Sequence, residues 1–272
     1  MATQNPQREE LGKLLRTARE GARLKPSEVE AELRWYAGKL SRVEIGRRVP
    51  VPVEIDRLAD LYRMTGKDRD TVVRLADAAR KREAPSRVAD FAQSYVTYER
   101  QAVEISYYNS DLVPALLQTE RYARAVLTTS RSQHVTERVE ERIRRRDVLT
   151  REDPPTVRVL LGEAVLHQQV AGKDALIEQL QHLLTVGDLP NVSIRIVPFA
   201  MGAHWMLGVG FTFLRLDAPE ITRVYIEGLT GATYIHEPDE TAIYQAGFND
   251  VWLAAPNETD SATILRGHIG NN

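Results

Sequence analysis

A chain of 272 residues that is 43% hydrophobic can bury a substantial core and, at roughly 150 residues per domain, fits two domains. It has no cysteine, which excludes disulfides, thiolate nucleophiles and Cys-type zinc or iron–sulfur centres. The net charge of −2 hides an asymmetry: residues 1–82 hold 19 Lys+Arg against 13 Asp+Glu, and the remainder holds 17 against 25, the distribution wanted when one end meets a polyanion.

The first apolar run comes late and is interrupted by charge, and no uninterrupted span of roughly 18 apolar residues occurs. Neither a secretory signal nor a membrane helix is expected, and the expected location is cytoplasmic.

Residues 1–82 read as consecutive helices. Leu11, Leu14, Leu15 and Ala18 have the i, i+3, i+4, i+7 spacing of one buried stripe, and Gly21 offers a stop. Pro26 suits a first helical position and Ser27-Glu28-Val29-Glu30 fits a capping box, so a second helix begins there and buries Val29 and Leu33. A turn follows at Arg34 to Tyr36. The next short helix, Ala37 to Ile45, puts Leu40 and Val43 on one face and Lys39 and Arg42 on another, so it can pack inward while presenting cations outward. A fourth helix, Val53 to Met64, follows Pro50 and Pro52, and a fifth runs from Asp68 through Val72, Leu75 and Ala79.

The body from residue 83 onward mixes helix and strand. Helices are expected over residues 87–100, Pro114–Leu127, Thr136–Thr150, Asp174–Val186 and Asp239–Leu253. Strands are expected over Ala102–Tyr107, Val157–Leu161 and Val192–Val197, with Val209–Leu216 and Thr222–Glu227 pairing across Asp217-Ala218-Pro219-Glu220. Glu140 and Glu141 precede Arg144 and Arg145 by four residues, so the Arg142–Arg146 cluster reads as a solvated, self-paired face and not as a second polyanion site. The last residues read as frayed. The fold class is therefore multi-domain, an all-α five-helix domain followed by a larger α+β domain in which helices flank a sheet.

Nothing in the sequence marks an enzyme. His134, His167, His182, His204, His236 and His268 form no HExxH pair, so no metal site is expected unless distant residues converge. Gly208-Val209-Gly210 precedes a strand and reads as a bend, and no Walker loop or nucleophile elbow is present. His236 to Glu240 gathers titratable groups, but Pro238-Asp239-Glu240 is an ordinary helix start with acids in its first turn. No cofactor is expected.

Leu11-Gly12 with Arg16, Arg19-Glu20, Leu24, Glu28-Val29 and Leu40-Ser41-Arg42-Val43-Glu44-x-Gly46-Arg47-Arg48 resemble the Xre/Cro-repressor type of helix-turn-helix. The remainder resembles the C-terminal domain of the actinobacterial WhiJ-like, antitoxin-like regulators. That likeness is carried by Tyr108, Leu112-Val113-Pro114-x-Leu116-Leu117-Gln118-Thr119-Glu120-x-Tyr122-Ala123, Arg142 with Arg146, Glu163-Ala164-Val165-Leu166, Leu189-Pro190-Asn191-Val192 and Val197-Pro198-Phe199-x-x-Gly202-x-His204. The resemblance implies a DNA-binding domain over residues 1–82, a sensor or partner-binding domain over 83–272, double-stranded DNA as partner, and control by a small companion protein or a small ligand.

The reading module departs from that family's pattern. Lys25-Pro26 stands where a polar cap and Gln are usual, Glu30 replaces a small residue, Arg34 replaces the glycine of the turn and is less at ease with positive φ, and Gly38 lies in the first turn of the recognition helix. Lys39 can donate to guanine, and the Ala37 methyl can rest on a thymine methyl. Arg42 reaches a base edge, a phosphate or Glu44, three outcomes the sequence leaves open. Arg47, Arg48 and the Ser27 hydroxyl suit backbone contacts. Tyr36 suits a phosphate or packing, and Trp35 reads as a core anchor. One short helix reads few base pairs, so a homodimer is expected. In the body, the loop Phe199–Leu207 with His204 and Trp205 is the candidate contact surface, with core packing of Trp205 and Met206 as the alternative reading.

Overall fold

Proline at the first position of a helix sacrifices no hydrogen bond, and three of the first five helices begin that way. The structure, a computed structural model, describes residues 6–80, 92–129, 134–217, 221–229 and 231–271. Its first five helices are α1 Pro6–Gly21, α2 Pro26–Glu32, α3 Lys39–Glu44, α4 Pro52–Leu61 and α5 Gly66–Arg80. In α2 and α4 the third residue, Glu28 or Glu54, reaches back to the backbone N–H of Lys25 (2.7 Å) or Val51 (3.1 Å). The cap of α2 is thus Lys25, two residues earlier than a Ser27 capping box requires, and Ser27 is left exposed.

The predicted apolar stripes meet in one core. Leu11, Leu15, Val29, Leu40, Val43, Ile55, Leu58, Val72 and Leu75 are fully buried, and Trp35 packs against them. Gly12 sits where α1 crosses α3: a Cβ there would collide with the Glu44 backbone carbonyl, so the glycine sets how closely the two helices approach.

Three helices of this unit end alike. After α1, α2 and α4 an arginine, Arg23, Arg34 or Arg63, adopts left-handed φ of 59°, 53° and 55°. The following N–H bonds five residues back: Leu24 to Arg19, Trp35 to Glu30 and Met64 to Ala59, at 3.1, 2.7 and 2.8 Å. This is the Schellman closure, in which the next apolar residue folds back onto the helix it ends. Leu24, Trp35 and Met64 all pack on the core, so the closures aim the core's rim.

The chain divides into two compact units between Tyr98 and Glu99, within α6 (Gln93–Gln101), with only the stretch 217–221 grouping with the first. The boundary expected after Arg82, and residues 87–91 of the helix expected there, lie outside the described residues.

In the second unit β1 Glu104–Asn109, β2 Thr156–Gly162, β3 Val192–Val197, β4 Phe211–Leu216, β5 Ile221–Glu227 and β6 Ala232–Ile235 form one mixed sheet in the order β3-β2-β1-β4-β5-β6. β1, β2 and β3 run parallel, with Tyr107 opposite Val159 and Val159 opposite Ile194. β4 is antiparallel to β1, and β6 to β5. β4 and β5 are neighbours as their alternation predicts; residues 218–220 of the expected turn lie outside the described residues. The four-residue β6 was not expected.

The helices of this unit are α7 Glu120–Thr129, α8 Val135–Arg145, α9 Lys173–Gly187, α10 Pro238–Ala254 and α11 Glu258–Asn271. Tyr108, Leu160, Phe211 and Phe213 of the sheet share a core with Phe248 and Val251 of α10. Pro114 opens only a 3-10 turn, Ala115–Leu117, before α7 begins. Gln179 of α9 clamps that turn, accepting from the Thr119 N–H and donating to the Leu117 carbonyl, both at 2.7 Å.

Two expectations are overturned here. The Arg142–Arg146 cluster is not a solvated, self-paired face. Arg145 is buried and donates to both carboxylate oxygens of Glu99 at 2.7 and 2.8 Å, Arg142 donates to Gln118 at 2.8 Å, and Arg146 lies 2.9 Å from His182. Spacing within one helix revealed the possible local partners, but the lower-dielectric interior offered better ones. Nor is the C-terminus frayed. Asn257 accepts the Asp260 N–H at 2.9 Å, the Ser261 hydroxyl receives the Ile196 N–H at 3.0 Å, and α11 packs on α9 and β3.

Candidate nucleic-acid interface

The turn between α2 and α3 is fixed at both ends by residues that depart from the usual pattern. Arg34 in left-handed geometry closes α2. Gly38, φ 84°, is the residue before α3, which begins at Lys39 and not at Ala37. The expectation that Gly38 lies in the first turn of the recognition helix is therefore corrected: it stands just before the helix, at a left-handed backbone angle that glycine adopts without strain. Glu30, projecting from α2, accepts the Leu40 N–H at 3.0 Å and so satisfies a donor that the start of α3 would otherwise leave unpaired. A carboxylate at this position is a cap supplied from the neighbouring helix, a role its sequence position did not reveal.

The other end of α3 is tied to α1. Glu44 accepts from Arg19 Nε at 2.6 Å and Nη2 at 3.1 Å, and Arg19 Nη1 reaches the Leu24 carbonyl at 3.0 Å. The Glu44 hydrogen bond raises the Arg19 pKa against the lowering effect of burial. Gly46, φ 74°, turns the chain where a Cβ would press on the α1 backbone at Arg8 and Glu9, and it leads Arg47 and Arg48 away from the core.

Lys39 requires a correction. It is buried, with its ammonium on the Glu54 carboxylate and 4.0 Å from the centre of the Trp35 ring. Partial burial pushes the Glu54 carboxyl up, but the Lys39 hydrogen bond, the Val51 N–H and the charges of Lys39 and Arg48 hold it below the usual carboxylate range. Lys39 thus faces inward, because the first turn of so short a helix lies over Trp35 and the start of α4. Trp35 packs as the core anchor its composition suggested.

Of the remaining predicted residues, Ser27, Tyr36, Ala37, Gly38, Arg42, Arg47 and Arg48 are all exposed. Arg42 lies 5.8 Å from the Tyr36 ring centre. Among the described residues, Arg42, Arg47 and Arg48 have no carboxylate at ion-pairing distance, so Arg42 does not pair with Glu44. Ser41 and Ile45 complete the outward face of α3 and were not singled out by charge. The surface is a rigidly mounted helix with unneutralised cations at its edge, suited to a polyanion with a groove wide enough to admit it.

His204 and Trp205 lie in the second unit. Trp205 is 75% exposed while Met206 is buried, so the core alternative holds for Met206 alone. The indole rests beside Gly247 of α10, and a groove of about 440 Å³ opens there between Trp205, Met206, Phe211, Ile235, Ile243 and Tyr244. His204 Nε2 is 3.4 Å from the Tyr108 hydroxyl, while its Nδ1 is buried with no partner among the described residues. Burial lowers the His204 pKa and raises that of Tyr108. Two other histidines, His167 and His268, converge with Glu163.

Five helices with a short, firmly capped third helix exposed at the surface define a helix-turn-helix protein. Comparison with protein families agrees: the helix-turn-helix domain matches residues 10–72, and the domain of unknown function DUF5753 matches residues 92–267, most of the chain. The chain belongs to the DUF5753 family. No curated protein and no solved structure matches it. A helix-turn-helix domain implies DNA binding and a transcriptional regulator. No helix among the described residues is long and apolar enough to cross a membrane.

Proposed function

We propose that the protein is a sequence-specific, homodimeric transcriptional regulator of the Xre type, related to the actinobacterial WhiJ-like, antitoxin-like group, and that its second unit controls when DNA is bound. The observation carrying this reading is the exposed, unpaired Arg42 on a helix fixed by Glu30 at one end and Arg19 at the other. In this reading α3 enters the major groove. Arg42 takes a base edge, Ala37 takes a thymine methyl, and Gly38 lets the backbone approach closely. Ser27, Tyr36, Arg47 and Arg48 hold phosphates and fix register. Lys39 acts through α3 as a positioning residue. A twofold dimer would space its half-sites by about 34 Å or a multiple. A genome-wide footprint of the tagged protein tests this: paired half-sites in promoters are expected, and diffuse occupancy without sequence preference would overturn it.

The groove beside Trp205 supports control through the second unit. Its volume of about 440 Å³ lies in the range of small-molecule sites, and its lining is mostly apolar. Trp205, Val209 and Ile243 of its lining are exposed, which also suits a small companion protein. Mass spectrometry of the protein purified from its host separates the two: a bound metabolite supports ligand control, a stoichiometric small protein supports the antitoxin-like reading, and neither argues against control at this face.

A further inference from the structure

Glu163, His167 and His268 place one carboxylate oxygen and two ring nitrogens within 4.8 Å of one another. Glu163 opens the 3-10 turn that leaves β2, His167 follows that turn, and His268 lies in the last turn of α11, 101 residues further on. Glu163 and His167, four residues apart, meet along the turn itself; His268 joins them only because the fold brings α11 back to the turn after β2.

The distances match a metal centre. The two Nε2 atoms are 3.4 Å apart, and Glu163 Oε1 is 3.7 Å from His167 Nε2. Two nitrogens each about 2.05 Å from a tetrahedral zinc ion stand about 3.3 Å from one another. A direct N–H···N hydrogen bond favours a separation nearer 3.0 Å. Moving the carboxylate oxygen inward by roughly an ångström would complete three ligands around one point.

The outer partners point the same way. His268 Nδ1 is 3.0 Å from the Ile264 carbonyl, a contact only an N–H can make, so in the neutral ring the Nε2 lone pair faces the cluster. Glu163 Oε2 accepts the Phe199 N–H at 2.7 Å, which turns Oε1 toward the histidines. The Phe199 ring stacks on His167, with centroids 6.1 Å apart and planes 16° from parallel. A histidine whose second nitrogen donates to a carbonyl, beside a carboxylate held by its own hydrogen bond, is the arrangement that orients metal ligands.

We propose that Glu163, His167 and His268 form a site for a divalent transition-metal ion of the zinc type, bound through both Nε2 atoms and Oε1, with the remaining positions open to water. Two imidazoles disfavour calcium and magnesium, which take oxygen ligands. The ion would staple the last turn of α11 to the turn leaving β2, and by binding only the folded form it would stabilise that form.

The test is calorimetric titration of Zn²⁺ alone into the chelator-stripped full chain, beside His167→Ala and His268→Ala, with Co²⁺ absorption and melting temperature as further readouts. The wild type is expected to bind one equivalent, to show the visible bands of a four-coordinate Co²⁺ site and to melt higher with Zn²⁺. Each variant should weaken binding by more than the roughly 10–100-fold cost of losing an outer partner, and should lose both other effects. His167 is exposed, so His167→Ala decides the matter even if His268→Ala fails to fold. Equal affinity and stoichiometry in the wild type and His167→Ala, or no binding by the wild type, would overturn the proposal.

Discussion

Arg19 of α1 and Glu44, the last residue of α3, meet through two hydrogen bonds of 2.6 and 3.1 Å, with side chains only 9% and 10% exposed. The pair holds the outward helix at a fixed angle on the core while Gly12 sets its distance. Removing Glu44 leaves the buried Arg19 with only the half-exposed Glu20 carboxylate at 3.4 Å and the Leu24 carbonyl as partners, a loss that costs more than the pair contributes. Glu44→Ala is accordingly expected to lower stability by about 3 kcal/mol in urea denaturation. Replacing both residues, Arg19→Met with Glu44→Leu, should recover most of that loss. If the double variant is no more stable than the single one, the uncompensated charge is not the cause.

Two backbone positions flanking the turn predict effects of opposite sign. Arg34 sits at φ 53°, and Arg34→Gly should raise stability by about 1 kcal/mol. Gly38 sits at φ 84° with open space around it, so Gly38→Ala meets no clash but should cost about 1–2 kcal/mol from backbone strain alone. Thermal melts of the two variants should shift in opposite directions.

The helices of the first unit were legible because each carries a strong local signal: the Leu11–Ala18 stripe, the proline starts and the apolar steps of α4. The side on which a cation lies was not. Lys39 and Arg42 are three residues apart on a six-residue helix, and only the placement of Trp35 and Glu54 sends one inward and leaves the other in solvent. In the second unit, strand alternation located β2 and β3, while the partners of Arg142 and Arg145 lie 24 and 46 residues away in sequence, beyond any local pattern. His167 and His268 show the same limit at larger separation.

His182 predicts a pH dependence. Burial, followed by the charge of Arg146, lowers its pKa from 6.5 to about 4, and its Nε2 lies 2.9 Å from an Arg146 nitrogen that can only donate. The folded form therefore holds the neutral ring while the unfolded chain takes up a proton first. This contribution to stability is complete above about 6.5 and is lost as the pH falls through about 4. The melting temperature of His182→Gln should fall less steeply than that of the wild type across this window. Parallel curves would contradict the assignment.

In the proposed binding mode Arg47 and Arg48 hold phosphates. Arg47→Ala and Arg48→Ala should each weaken binding to all sequences alike and reduce the slope of log K against log salt by about 1. Fluorescence anisotropy across a salt series checks both, and a changed base preference would move either residue into the reading set.

The central claim is that α3 reads DNA through Arg42 while Lys39, held by Glu54 and Trp35, only positions the helix. Selection of binding sites from a random duplex pool by the wild type, Arg42→Ala and Lys39→Met tests it most directly. Arg42→Ala is predicted to lose about 1–3 kcal/mol of discrimination at one base pair per half-site, whereas Lys39→Met keeps the wild-type preference. Loss of a base preference in Lys39→Met with the Arg42→Ala motif unchanged would contradict the account.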